Sequence, residues 1–440
     1  MNYSWSYKLM FLSVIFLSAC SSGLPNLLKQ SYLMKRQKDV VATQTIASLT
    51  PKLTPKVPMQ GNLDIAVNSA AKVHPQFLAA QYGIEEAKVN LDISEASTKP
   101  QISTSIFSGL DDIENLSAGV TASLNLQTLL YDGGKADLQR SLDELNIENA
   151  KLSLEKVQNS LVLGFYNDFN NLASLELIEE VYANKIQVIN EYKTRLNTMK
   201  NAGVIDSSAI SQAQRISNDI TKNLELTSID RQLVEEKLGL YFSDTIIPTG
   251  AIQKSIAKLK RSKASILKNL EIKTAYLQVS AATIRVEQAK RTNSYDVVFQ
   301  SGVRQTIGSS LDTQPTLGIA LSKPVYRGGL LQAQINSANA SKQRASSDFN
   351  TTYSKVKEEL KLLDVNLRAV ERKLNIIKQE TLFSRTEIDR INSQLTIGRS
   401  SINDLISEEN NLLELELQTI QLEKEKNELT FSRFSWLGAI

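Results

Sequence analysis

Apolar side chains over residues 63–91 return at steps that alternate between three and four: Leu63, Ala66, Ala70, Val73, Phe77, Ala80, Ile84, Ala87 and Leu91. A step averaging about 3.5 keeps one seam against a partner and winds the pair left-handed. The spacing predicts one long coiled-coil helix, with enough Ala in its seam for close approach. Leu267, Leu270, Thr274, Leu277, Ala281 and Ile284 repeat the pattern and predict a second such helix. Two longer segments, Gly134 to about Lys200 and Gly329 to about Thr396, contain no proline. As helices each would extend about 100 Å at about 1.5 Å per residue. Gly203 and Gly398 follow them, the residue type that ends helices in the left-handed conformation. A further helix is expected after each: Ile210, Ala213, Ser217, Ile220 and Leu224 in one, Leu405 to Leu422 in the other.

Between the helices the period drops to two. Ala118, Val120, Ala122, Leu124 and Leu126 alternate with Gly119, Thr121, Ser123, Asn125 and Gln127. This is a strand with one apolar and one polar face, about as long as a tilted strand that crosses a bilayer. The run Ile102 to Phe107 can pair with it through the acidic turn Leu110 to Leu116. A second hairpin is expected from Val297 to Val303, a turn at Gly308 to Gln314, and Leu317, Ile319 and Leu321. Four strands cannot close a membrane barrel, and open edges in lipid leave backbone groups unsatisfied, so oligomerisation follows.

The two halves are one unit written twice. Tyr131-Asp132-Gly133-Gly134 returns 195 residues later as Tyr326-Arg327-Gly328-Gly329, and Gly203 returns as Gly398 at the same offset. Thr121 and Thr316, Leu126 and Leu321, and Ala150 and Ala345 correspond without a gap. The expected organisation is a first helix–hairpin–helix repeat at 62–245, a connecting segment at 246–262 and a second repeat at 263–440.

Lys8 precedes an apolar run from Leu9 to Leu17 that is too short to span a membrane, and small residues follow. That order is a secretory signal. Leu17-Ser18-Ala19-Cys20 resembles the bacterial lipobox, in which cleavage leaves a lipidated cysteine. Residues 1–19 are therefore expected to be a lipoprotein signal peptide, and 20–61, with Pro51, Pro55, Pro58 and Gly61, an extended tether. Ser21 rather than Asp after Cys20 resembles the outer-membrane sorting signal.

Composition narrows the chemistry. With one Cys and one His, disulfides and His-based catalysis or metal binding are poor candidates, and 50 basic against 47 acidic residues leave no footprint for nucleic acid. There is no phosphate-binding or dinucleotide-binding glycine pattern, so neither an enzyme nor a cofactor is expected. Two glycines side by side suit a tilted strand that turns straight into a helix. Tyr131 and Tyr326 at the strand ends suit the lipid boundary.

The lipobox, the duplication, the two strand hairpins flanked by very long helices, and the turn Pro324 to Gly329 followed by Ala333, Ala338 and Ala340 together resemble the TolC-type outer membrane factor family. So does the opening Leu63-Asp64-Ile65-Ala66-Val67, although His74 stands where Asn is more usual. The resemblance implies an α+β membrane protein: a homotrimer in which each chain gives four transmembrane β-strands to a twelve-stranded barrel, continued by an antiparallel coiled-coil α-helical periplasmic tunnel. It implies as partners a periplasmic adaptor, an inner-membrane pump of RND or ABC type, and outer membrane lipid. Gly203 and Gly398 would form the periplasmic tip. Asp404 matches a first acidic residue at the family's aperture, while Ser407 stands where a second is usual. Copy one has Leu129 where copy two has Pro324, which implies a gentler bend there. The competing reading is an adaptor-type coiled-coil lipoprotein without a channel of its own, which should carry one hairpin rather than two. If the lipobox is read correctly, mass spectrometry of the mature protein finds an acylated Cys20 as its first residue; an unmodified Cys20 discards the anchor.

Overall fold

The computed structural model describes residues 55–58, 62–112, 117–203, 207–244, 250–262, 264–307, 311–396 and 399–439. All fall within one compact unit, Pro55–Ile440. The signal peptide, Cys20 and most of the tether expected from the sequence lie outside the described residues, as does Gly398.

In chain order the elements are α1 (Leu63–Val73), α2 (Pro75–Ala96), β1 (Gln101–Asp112), β2 (Ser117–Tyr131), α3 (Lys135–Asn201), α4 (Ser207–Gly239), α5 (Ala251–Arg261), a 3-10 turn at Ile266–Lys268, α6 (Leu270–Arg291), β3 (Asp296–Ile307), β4 (Leu311–Ser322), α7 (Leu330–Thr396) and α8 (Ile402–Trp436). A shift of 195 carries α2 onto α6, β1 onto β3 and α3 onto α7 from end to end. The four strands form one antiparallel sheet in the order β1-β2-β3-β4, joined across the repeats by β2 and β3.

The expected opening helix is two helices. Pro75 lacks the N–H that would continue α1 and drives the residue before it out of the helical region. His74 accordingly sits at φ −68°, ψ 137°, and its Nδ1 accepts from the Gln76 backbone N–H at 3.2 Å. Its ring stacks on Tyr241, with centroids 4.9 Å apart. In the second repeat the helix starts at Leu270 rather than Leu267, because the Asn269 side chain caps the N–H groups of Glu271 and Ile272. Its most buried seam is Ile272, Ala275, Ala282 and Val286, not Thr274 to Ile284. The cause is that α6 packs on both α3 and α7 and so needs two faces.

Helix α3 is the spine, in contact with α1, α2, α4, α6 and α8. Two cores lie along it. One gathers α1, α5, the middle of α3 and the end of α8 around Phe169, Phe242 and Phe431. Phe165 and Phe169 meet Phe242 edge-on, and Tyr166 stacks on Phe431 at 4.6 Å. The Tyr166 hydroxyl donates to Asp64 Oδ1 at 2.7 Å, and Lys258 Nζ donates to Oδ2 at 2.8 Å. Burial pushes the Asp64 carboxyl up, but hydrogen bonds from Lys258, Ser255 and Tyr166 outweigh it and hold the group below the usual range. Val57 exchanges backbone hydrogen bonds with Tyr241 and Ser243, which pins the end of the tether to this core.

The second core, around Ile189, Leu196, Leu405 and Ile406, joins the far ends of α3 and α4 to those of α7 and α8. It contains a buried ion pair, Lys185 with Glu409, and the Tyr192 hydroxyl donates to Glu409 Oε1 at 2.7 Å. Removing one partner of a buried pair strands the other charge, at about 3–5 kcal/mol, whereas apolar replacement of both is close to neutral. Thermal unfolding should therefore rank Lys185→Met as clearly less stable than the Lys185→Met/Glu409→Leu double variant. Equal losses would show that a Glu409 left without its partner carries no burial penalty.

Candidate functional site

The register divides the sheet into two faces. Ile102 pairs with Leu126, Thr104 with Leu124 and Ile106 with Ala122; Leu124 pairs with Val303, and Phe299 with Ile319. Paired residues share a face, so Ile102, Ile106, Val120, Leu124, Leu126, Val297, Phe299, Val303, Leu317, Ile319 and Leu321 form one apolar surface. Most of its side chains are open, with Leu317 at 78% exposure. Ala118 pairs with Leu110, but its side chain lies outside the described ones.

The opposite face carries Ser103, Ser105, Ser123, Asn125, Gln127, Gln300, Arg304, Gln314 and Thr316. Ser105 and Ser123 share a hydrogen bond at 2.7 Å, and Thr316 donates to the Gly302 carbonyl at 3.4 Å. The alternation in β2 and β4 was legible in the sequence. In β3 the consecutive Val297, Val298 and Phe299 hide the parity, and only the pairing places Phe299 and Val303 on the apolar face.

All four strand–helix junctions lie at one end of the sheet and the hairpin turns at the other. Gly133, Gly134, Gly328 and Gly329 all take positive φ, between 58° and 83°. At Gly133 a Cβ would also stand 2.2 Å from Ser294 Cβ, while nothing lies within 4 Å at Gly328 or Gly329. Asp132, unremarkable in the sequence, binds the start of α3: its carboxylate accepts from the N–H groups of Gly134, Lys135 and Ala136 at 2.8, 3.1 and 2.6 Å. The bends also differ. β2 stays paired as far as Tyr131, through a bulge at Leu130, whereas β4 stops at Ser322, ahead of Pro324. Tyr131 and Tyr326 are both exposed.

At the far end of α3, Gly203 takes φ 76° and its N–H donates to the Lys200 carbonyl at 2.9 Å. Asp404 closes a capping box at the start of α8. Its Oδ2 accepts from the Ser401 N–H at 2.9 Å and the Ser401 hydroxyl at 2.8 Å, and its own N–H donates to Ser401 Oγ. These Ser401 hydrogen bonds, the backbone one first, hold the exposed Asp404 carboxyl below its usual range. A depressed carboxyl lends its stability above the unfolded pKa and loses it as pH falls through the folded value. The cap therefore weakens only in acid.

Among the described residues no group of His, Cys, Asp and Glu could hold a metal ion, and no helix is long and apolar enough to cross a membrane. Among the described residues the apolar face of the sheet is a surface suited to lipid, and the sheet stands at one end of a helical bundle that includes two helices of 67 residues. No family model matches the chain. Outer membrane protein TolC of Escherichia coli (strain K12) is 21% identical over 358 residues, covering 75% of this chain and 69% of the relative. Outer membrane efflux protein BepC of Brucella suis biovar 1 (strain 1330) is 18% identical over 413 residues, covering 89% of this chain and 88% of the relative. The crystal structure of the outer membrane protein VceC from Vibrio cholerae superposes with a TM-score of 0.70 at 17% identity, covering 85% of this chain and 96% of that one. Together these matches show that the chain shares its fold with outer membrane channel proteins and is similar in sequence to two of them.

On this sheet Ile319→Arg should cost about 2–4 kcal/mol near mid-bilayer, while Thr316→Arg, on the polar face, is tolerated. Heat-dissociation gels of membrane-extracted protein read the difference. Equal tolerance would mean that the faces are reversed or that the sheet is not in lipid.

Proposed function

We propose that this chain forms the outer membrane channel of a tripartite export system. Three copies place β1 of one beside β4 of the next and close a twelve-stranded barrel, and the helices continue it as a periplasmic tunnel. The duct is passive: it carries small toxic molecules or secreted polypeptides from an inner-membrane pump, of RND or ABC type, through a periplasmic adaptor docked at the tip. Acylated Cys20 adds a second attachment to the outer membrane. No enzymatic step is proposed.

The observation that carries this reading is the two-faced sheet. One side offers lipid a mostly apolar surface, interrupted by Thr104, Ser301 and Gln305, and the other lines a path with hydroxyls, amides and Arg304, with Phe107 among them. An adaptor-type lipoprotein would have no use for two strand hairpins joined in one sheet with an outward apolar face. Purified protein in planar bilayers should give discrete conductance steps; absence of conductance from protein that is folded and membrane-inserted would refute the channel.

The tip reading makes a separate demand on Asp404. If three copies converge at a narrow axis, each carboxylate raises the pKa of the others, against the lowering by Ser401 within one chain. Asp404→Ala should then relieve block by divalent cations and reduce cation selectivity in the same recordings. Unchanged block and selectivity would leave Asp404 as a helix cap only.

A further inference from the structure

The two strand-to-helix junctions stand 195 residues apart and should be alike, but their charge is reversed. Residues 128–132 of the first repeat correspond to 323–327 of the second, which sets Thr128 against Lys323 and Asp132 against Arg327. In the first repeat the segment stays in the sheet, and Asp132 is occupied by three backbone N–H groups. In the second, Pro324 has no N–H with which to extend the ladder, and Lys323–Arg327 leaves the sheet.

Leaving the sheet exposes two large side chains. Val325 is 93% and Tyr326 88% exposed, more than any other large apolar residue among those described. Lys323 and Arg327 flank them, and Lys323 Nζ rests 4.5 Å from the centre of the Tyr295 ring. Arg291 and Lys99 lie at the same end of the sheet. Among the described residues these four cations make no ion pair, whereas neighbouring Lys135 and Lys290 are bound to Asp296 and Glu287. The acids at this level are Asp132, held by backbone, Asp296, held by Lys135, Glu287, held by Lys290 with Arg291 close by, Glu95, held by Arg140, and Asp137 in the first repeat. The second junction is thus left positive.

We propose that Lys323–Arg327 docks on anionic phospholipid headgroups at the membrane boundary, with Val325 and Tyr326 set among the acyl chains. The segment follows directly on Leu317, Ile319 and Leu321, the apolar residues at the end of β4. An apolar residue and a tyrosine between two long cationic side chains is the arrangement that fits an interface: rings and stems enter the lipid while the charges reach phosphate. The core of a contact between copies of the chain would instead be depleted of charge. The proposal rests on the barrel reading and adds selectivity for anionic headgroups, confined to the second repeat.

The test uses the full-length protein reconstituted in vesicles of phosphatidylcholine and phosphatidylglycerol, with both tryptophans removed by Trp5→Phe and Trp436→Phe as background. A tryptophan placed by Tyr326→Trp reports the junction, and one placed by Ile319→Trp reports the sheet. In mixed vesicles, brominated phosphatidylglycerol should quench the probe at 326 about fivefold more effectively than brominated phosphatidylcholine at equal content. Lys323→Gln with Arg327→Gln should abolish that preference. Added salt should weaken it. At 319 both lipids should quench alike.

Quenching at 319 but not at 326 overturns the docking while leaving the barrel intact, and no quenching at either position refutes the barrel itself. Equal quenching by both lipids at 326 overturns the headgroup selectivity. A disulfide formed between chains by Val325→Cys and a cysteine on β1 of a neighbour would assign the segment to subunit contact instead.

Discussion

Backbone N–H and C=O groups along the outer edges of β1 and β4 cannot be left unpaired in hydrocarbon, at several kcal/mol for each group. A four-stranded sheet with an apolar face therefore has only one way to enter a membrane: its two edges must find each other on different copies. The antiparallel order β1-β2-β3-β4 leaves the two edges complementary, so identical copies can close a ring. The helices have to obey that ring, since all four strands join helices at one end of the sheet. Their length and pairing then decide how far the closed wall continues away from the membrane.

Within one chain the duplication satisfies this constraint economically. The same unit is used twice, and β2 of the first pairs with β3 of the second, so the repeats meet edge to edge in the sheet and side by side through α3 and α6. The copies have diverged where their surroundings differ. Gly133 and Gly134 are crowded by Ser294 and Arg291, while Gly328 and Gly329 stand in the open and owe their identity to backbone angle alone. The chemistry at the start of the long helices diverges in the same way, from Asp132 to Arg327. Toward the far end of α3 the repeats are tied together by burial instead: Lys185 and Tyr192 on α3 hold Glu409 on α8 inside the second core.

Much of this was legible in the sequence because it follows from period and composition. The constant offset, the change of period from 3.5 to 2 and the glycine pairs located the strands, the long helices and the junctions. What was not legible depended on tertiary partners. The single opening helix failed at Pro75 because the seam pattern runs straight through a proline that the backbone cannot follow. The seam of α6 was misplaced because that helix serves two neighbours, and a heptad pattern names one. Asp132 and the Lys185–Glu409 pair carried no sequence signal: one is a cap seen only once the strand ends, the other a contact across more than 200 residues. Asp404 was noticed for a possible place in an aperture, and within one chain it is a capping residue whose Oδ2 is held by Ser401.

A closed ring requires β1 of one copy to lie beside β4 of another. Single cysteines placed in turn along Gln101–Phe107 and along Thr316–Ser322, combined in pairs and oxidised in the outer membrane, test this directly. The expected result is a ladder of disulfide-linked dimers and trimers that ends at three, from antiparallel pairs only. Links formed within one chain, or a ladder running past three, would contradict the twelve-stranded barrel.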